Sequence, residues 1–174
     1  LHDALPICKF YGFERAVSQG EKMVEDGADI LDIGGESTRP FSDIISEEEE
    51  LRRVLPVIEK LAPKLPVPIS IDTMKSGVAR RALDAGASII NDVGALRMDP
   101  VLAEVAAEKK VPVILMHMKG TPKTMQKNPH YDNLIEEIKE FLLDRIDYAV
   151  KNGISRSMIM VDPGIGFGKT AGHN

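Results

Sequence analysis

Short apolar runs alternate along this chain with longer segments in which apolar residues recur every three or four positions. The short runs are typical of buried parallel strands, and the longer segments are typical of amphipathic helices. Regular alternation of the two favours an α/β fold with a parallel sheet and right-handed helical crossovers. The pattern predicts strands at residues 29–34, 67–71, 88–90, 111–116 and 158–161.

Helices are predicted before and between these strands. The first begins near Phe13 and ends at Gly27, which occupies a typical C-cap position. Ser46 and Glu49 form a capping-box pattern at the start of the second, whose acidic first turn is interpreted as a complement to the helix dipole. The remaining helices are expected at about 75–86, 100–109 and 132–152.

Polar side chains follow four of the five predicted strands. They are the stretch from Glu36 to Arg39, then Asp72, then Asn91 with Asp92, and finally Asp162. Ligand sites of parallel α/β proteins lie at the carboxyl ends of the strands, so these residues are candidates for one site. Each also has a structural alternative. Asp72 could cap the next helix, and the others suit turns.

The stretch Asp29–Pro40 is the most informative segment. Its apolar half ends in two glycines, which allow the backbone to turn sharply and approach a ligand. Arg39 offers a planar group suited to phosphate or carboxylate, and Pro40 stiffens the exit from the loop.

Composition narrows the class of protein. The 174 residues fit one domain, and 43% hydrophobic with 28% charged residues is typical of a globular protein. A net charge of −5 without a basic block predicts no nucleic-acid partner. The single cysteine, Cys8, excludes an internal disulfide and favours a cytoplasmic location. Neither a membrane span nor a signal peptide is expected.

The candidate site points to a flat ligand rich in donors. Acid and amide side chains that meet at the carboxyl ends of the strands need hydrogen-bond donors. A heterocycle with amino and ring N–H groups would supply them. His117 is either a structural residue or a base. Gly168-Lys169-Thr170 is similar to the end of a phosphate-binding loop, but the spacing of the preceding glycine is wrong. The glycine-rich loop with Phe167 either covers a flat substrate or is a flexible turn.

Several blocks together resemble the dihydropteroate synthase family. Asp29–Pro40 is similar to the signature of that family, and four further blocks follow in the family's order and spacing. They are Ile69-Ser70-Ile71-Asp72-Thr73, Ile90-Asn91-Asp92-Val93, Leu115-Met116-His117-Met118 and the segment from Asp162 to Thr170. The likeness covers residues 9–174, an incomplete pterin-binding domain. Residues 1–8 are expected to be an arm outside the family pattern.

The resemblance implies a partial (β/α)8 TIM barrel, with about five of eight parallel strands, strands 2 to 6, and flanking helices. It also implies a transferase of folate biosynthesis, the target of sulfonamides. In that reaction p-aminobenzoate displaces pyrophosphate from 6-hydroxymethyl-7,8-dihydropterin diphosphate with the help of Mg²⁺. The product is 7,8-dihydropteroate.

Residue roles follow from the resemblance, position by position. Asp72 would bind the pterin and favour positive charge on the reacting methylene carbon, and Arg39 would bind the anionic end of the substrate. These two are the implied catalytic residues. The implied substrate-binding residues are Thr38, Arg39 and Pro40 in a mobile loop, Asp72, Asn91 and Asp162 at the pterin edge, Met116 beneath the ring, and Phe167 near the aromatic substrate.

The sequence also departs from the family pattern. The family's first strand, whose Asn helps to bind the metal, has no counterpart in residues 1–7, so no metal ligand is assigned. The last two strands are not matched either. We therefore expect the 174-residue chain alone to be poorly stable and inactive, and the full-length protein to be a homodimer. Phe41 stands where the family often has Gly.

Two alternatives remain. A pterin-binding methyltransferase of the same fold would share Asp72, Asn91 and Asp162, but it would not need the segment 37–40. An inactive fragment that retains pterin binding is the second alternative.

Overall fold

The computed structural model describes residues 12–39 and 42–174. Within them, five parallel strands form one sheet in the order β1-β2-β3-β4-β5, with each strand hydrogen-bonded to its neighbours in sequence. The elements are α1 Phe13–Glu25, β1 Leu31–Gly34, α2 Glu47–Leu61, β2 Ile69–Asp72, α3 Ser76–Asp84, β3 Ile89–Asp92, α4 Val101–Lys109, β4 Val113–Met116, α5 Leu134–Lys151 and β5 Ile159–Asp162. Every predicted strand and helix is present, and each strand has four residues, so three of the five are shorter than predicted.

The two faces of the sheet differ in chemistry because side chains alternate along each strand. One face packs on the helices and is apolar. It carries Leu31, Ile69, Ile71, Ile90, Val113 and Leu115, which belong to the main hydrophobic core. Residues at the alternate positions lie on the opposite, inner face, and there the register aligns Asp32 with Ser70, Asp72 with Asn91, and Met116 with Asp162.

The helices complete the core on one side of the sheet only. Their buried side chains include Val54, Ile58 and Leu61 of α2, Val78 and Ala82 of α3, and Leu102 and Val105 of α4. Because the core lies on the helix side, the polar residues of the inner face stay available for a site. No helix in the described part of the chain is long and apolar enough to cross a membrane.

Of two residues considered as helix caps, the structure confirms one and contradicts the other. Ser46 caps α2 as predicted, since its hydroxyl accepts a hydrogen bond from the Glu49 N–H at 3.2 Å. The alternative that Asp72 caps the following helix is wrong. That helix begins only at Ser76, whose N–H donates to a carboxylate oxygen of Asp99 at 2.7 Å.

Candidate active site

Asp72 lies on the inner face of the sheet. It ends β2 and is aligned with Gly34 on one side and Asn91 on the other. A Cβ atom added at Gly34 would lie 3.2 Å from both Cβ and Oδ2 of Asp72, so the glycine leaves room for this side chain. One carboxylate oxygen of Asp72, Oδ1, is buried without a hydrogen-bond partner among the described residues.

The surroundings of Asp72 disfavour its negative charge. Burial, followed by the charges of Asp32, Asp92, Glu50 and Glu36, raises the pKa of Asp72 well above its ordinary value. A ligand that donates a hydrogen bond or carries positive charge would stabilise the ionised carboxylate. The site is therefore suited to a donor or to a developing cation.

Asn91 is held by a residue that the sequence analysis did not single out. Its Nδ2 donates to Oδ2 of Asp32 at 3.0 Å, and the hydroxyl of Ser70 donates to the other oxygen of Asp32. Burial raises the pKa of Asp32, while these two hydrogen bonds oppose the shift. The Oδ1 atom of Asn91 has no donor within residues 12–39 and 42–174.

Asp162 lies on the same face, aligned with Met116 at the end of β4. Its Oδ1 accepts a hydrogen bond from the Gly164 N–H at 2.7 Å. The turn alternative is thus correct for one oxygen of this carboxylate. The other oxygen, Oδ2, receives no hydrogen bond from the described part of the chain.

Asp92 belongs to the structure of the loop and not to the site. It lies on the helix side of the sheet, and its two oxygens accept hydrogen bonds from the backbone N–H groups of Gly94 at 2.7 Å and Leu96 at 2.6 Å. Burial raises its pKa to about 6 despite these bonds. The turn alternative is confirmed for this residue.

The loop after β1 meets Asp72 at a small cavity. Thr38 and Asp72 line this cavity of about 10 Å³, which has room for about one water molecule. Arg39 is exposed. Pro40 and Phe41 lie outside the described residues, so the predictions for them are not addressed by the structure.

Three charged residues fasten the base of this loop. Lys75 Nζ lies 2.6 Å from a carboxylate oxygen of Glu36 and 2.6 Å from one of Glu50. Glu36 and Glu50 are 9% and 1% exposed. The same oxygen of Glu36 accepts a hydrogen bond from the Ile45 N–H at 3.1 Å, which closes the loop at its far end. Oε1 of Glu50 is buried and unpaired within the described residues.

Glu50 belongs to the acidic first turn of α2, as predicted, but it is also buried and pairs with Lys75. Glu50 is on the buried side of that helix with Val54, Val57, Ile58 and Leu61. Glu49 fits a surface role better, because hydrogen bonds from Arg52 and Arg53 lower its pKa to about 2. The helical spacing from Glu50 to the apolar stripe was a signal in the sequence that could have separated the two.

The two glycines after Ile33 have a packing role that was not predicted. Neither Gly34 nor Gly35 has a positive φ. A Cβ atom at Gly35 would lie 2.9 Å from side-chain atoms of Glu50 and Val54. The pair therefore lets Asp72 and helix α2 pack closely against the end of β1.

Lys169 fastens the glycine-rich loop that follows β5. It is 5% exposed, and its Nζ lies 2.9 Å from Nδ1 of His117, 2.9 Å from the Gly164 carbonyl oxygen and 3.1 Å from that of Phe167. Burial lowers its pKa to about 8. Because the ammonium group is directed into the protein, the structure agrees that this segment is not a phosphate-binding loop.

Of the two alternatives for His117, a structural residue or a base, the structure favours the structural one. It is buried, and burial together with the charge of Lys169 lowers its pKa to about 4. The neutral ring accepts the hydrogen bond from Lys169.

Met116, the residue before His117, is buried in a second apolar cluster with Val93, Met118 and Met125, and Phe167 packs against that cluster. The implied contacts of Met116 and Phe167 with substrates stay predictions.

Replacing Gly164 by alanine is expected to cost about 1–3 kcal/mol more stability than replacing Gly166. Both glycines have positive φ, 67° and 85°, so both variants suffer the same backbone strain. Only at Gly164 would the added Cβ overlap the backbone oxygen of His117, whereas Gly166 has nothing within 4 Å. Urea unfolding of the two variants measures the difference, and equal losses would contradict the close packing of this loop on β4.

Comparison with known proteins agrees with this geometry. A family model described as "Pterin binding enzyme" matches residues 8–174. The chain therefore belongs to the family of pterin-binding enzymes.

Its relatives within that family are dihydropteroate synthases. The chain is 45% identical over 166 residues to the dihydropteroate synthase of Synechocystis sp., which covers 95% of this chain and 57% of the relative. The enzyme of Escherichia coli K12 is 46% identical over 159 residues, covering 91% of this chain and 56% of the relative. The chain thus spans somewhat more than half the length of these relatives.

Solved structures give the same result. The Yersinia pestis dihydropteroate synthase with a sulfonamide drug has a TM-score of 0.91 at 44% identity and covers 94% of this chain and 59% of its own. The Xanthomonas albilineans enzyme with 4-aminobenzoic acid has a TM-score of 0.88 at 45% identity and covers 99% and 61%. The predicted fold class is confirmed, since the five strands correspond to part of the TIM barrel of these enzymes.

Proposed function

We propose that this chain forms the pterin-binding part of a dihydropteroate synthase. One observation carries the proposal. Three residues on the inner face of the sheet, Asp72, Asn91 and Asp162, each have at least one acceptor oxygen without a donor in the described part of the chain. A 2-amino-4-oxo pyrimidine ring carries amino and ring N–H groups that match them.

The proposed reaction joins 6-hydroxymethyl-7,8-dihydropterin diphosphate to p-aminobenzoate. The bond between the methylene carbon and the diphosphate oxygen breaks, and pyrophosphate leaves with the electron pair. The amino nitrogen of p-aminobenzoate then bonds to that carbon and loses a proton, which gives 7,8-dihydropteroate. Loss followed by capture needs no side-chain nucleophile.

The residues contribute charge and position to this reaction. The acid-rich surroundings of Asp72 favour positive charge on the methylene carbon as diphosphate departs. Arg39 is exposed on the loop after β1 and would bind the anionic end of the substrate. Thr38, which shares a cavity with Asp72, would lie between the two.

Mg²⁺ is part of the proposal only as a bound ion that would offset the charge of the diphosphate. Within residues 12–39 and 42–174, no group of three His, Cys, Asp or Glu side chains is arranged to hold a metal ion. We assign it no ligand among these residues. A cytoplasmic location and a homodimeric full-length protein also stay predictions.

Pterin binding and turnover are tested separately. Calorimetry with the 174-residue chain is expected to show binding of the pterin, and failure of a folded chain to bind it would overturn the proposal. The protein expressed from its complete gene is then assayed for 7,8-dihydropteroate and for methyl transfer from a folate to a corrinoid protein. The names of the relatives favour the first activity, and methyl transfer alone would favour the second.

A further inference from the structure

Asp32 links three strands on the inner face of the sheet. It lies on β1, is aligned with Ser70 on β2, and reaches Asn91 on β3. The Ser70 hydroxyl, in a residue that is 1% exposed, donates to Oδ1 of Asp32, and Nδ2 of Asn91 donates to Oδ2. Each oxygen of the carboxylate thus receives one hydrogen bond from a different strand.

The direction of these hydrogen bonds follows from the chemistry of the groups. An ionised carboxylate only accepts, whereas the two ends of an asparagine amide are a donor and an acceptor of nearly the same shape. Because the carboxylate of Asp32 only accepts, the amide of Asn91 can direct only its NH₂ group towards Asp32. Its Oδ1 atom must therefore be directed away from Asp32.

We propose that Asp32 is a positioning residue that fixes the amide of Asn91 with its oxygen available to the ligand. The inference rests on the proposed function, because it concerns how the same site selects a pterin. With Oδ1 available, Asn91 selects a ligand that donates at this edge. With the amide reversed, the NH₂ group would instead face the N–H groups of the ligand.

The orientation is tested first without any ligand. In NMR spectra of the folded chain, one Nδ2 proton of Asn91 is expected to be shifted downfield, because it is hydrogen-bonded to a carboxylate. The resonance is identified by its loss in Asn91→Asp. Asp32→Asn is expected to alter its shift, whereas the charge-matched surface change Asp147→Asn is not. A shift typical of a solvent-exposed asparagine amide in the unchanged chain would overturn the proposal.

Ligand selection is tested by exchanging the two residue types. Asn91→Asp sets two carboxylates against each other and is expected to weaken pterin binding about tenfold. In the double variant Asp32→Asn with Asn91→Asp, the amide at position 32 donates to the carboxylate at position 91, whose second oxygen again serves the ligand. Its pterin affinity is expected to return to within about threefold of the unchanged chain.

A second ligand distinguishes the positioning of Asn91 by Asp32 from a purely structural role of Asp32. Lumazine carries a 2-oxo group where pterin carries the 2-amino group, so it presents an acceptor. Asp32→Asn allows either orientation of Asn91 and is expected to lower the ratio of pterin to lumazine affinity several-fold, while a purely structural role would weaken both ligands equally. Failure of the folded unchanged chain to bind pterin would count against the proposed function, and the NMR result would still decide the role of Asp32.

Discussion

Lys75→Met is expected to lower the free energy of unfolding by about 3–5 kcal/mol. Lys75 is the positive partner of two buried carboxylates, Glu36 and Glu50, at 2.6 Å from each. The variant would leave both charges unpaired in a region that already contains the buried, unpaired Oδ1 of Asp72. Burial works against the charge of Lys75, but its hydrogen bonds with the two glutamates raise its pKa overall. The ammonium group is therefore charged throughout the neutral range.

Lys109→Met is the matched control for this prediction. Lys109 Nζ is also 2.6 Å from a carboxylate oxygen, that of Asp84, but the Asp84 side chain is 54% exposed. An exposed pair contributes at most about 1 kcal/mol, because water screens it and solvates the remaining partner. Urea denaturation of both variants provides the comparison. Equal losses would show that burial of the glutamates does not govern the strength of the interaction.

A double variant shows which charge causes the loss. Adding Glu50→Gln to Lys75→Met removes one of the two unpaired charges and is expected to recover part of the stability. The loop after β1 is affected as well, because Glu36 also accepts the hydrogen bond that closes this loop at Ile45. A double variant no more stable than Lys75→Met alone would argue against an unpaired charge at Glu50.

Asp162→Asn is expected to weaken pterin binding about tenfold to a hundredfold. The substitution keeps an oxygen that can accept from the Gly164 N–H, so the turn after β5 is retained. The other oxygen becomes an NH₂ group that faces the donors of the ligand, and each donor left unpaired costs roughly 1–3 kcal/mol. Asp162→Ala removes both acceptors, so it is expected to lose pterin binding and to loosen the loop as well.

Calorimetry with pterin measures this effect, with Asp147→Asn on the surface of α5 as the charge-matched control. The control is expected to bind like the unchanged chain. Unchanged affinity of Asp162→Asn would reject the role of this carboxylate in ligand binding. A loss of affinity that Asp147→Asn shares would point to net charge rather than to a specific contact.

The sequence determined the order of elements and a candidate position for the site. Buried strands and amphipathic helices are local patterns, so the alternation could be read directly from the chain. The carboxyl ends of parallel strands share one edge of a sheet, so the polar residues that follow the strands could be grouped into one candidate site, although this argument also included Asp92. The family resemblance then selected Asp72, Asn91 and Asp162 and supplied the proposed ligand.

Only the tertiary structure decided which polar groups support that site. Lys75 pairs with glutamates that are 39 and 25 residues away, and His117 pairs with Lys169 across 52 residues. Asp32 holds Asn91 from 59 residues away. Such pairs depend on which strands are neighbours and on their register, and neither is encoded in a local pattern of residues. For the same reason the sequence placed Asn91 near the end of a strand, but only the tertiary structure showed its hydrogen bond with Asp32.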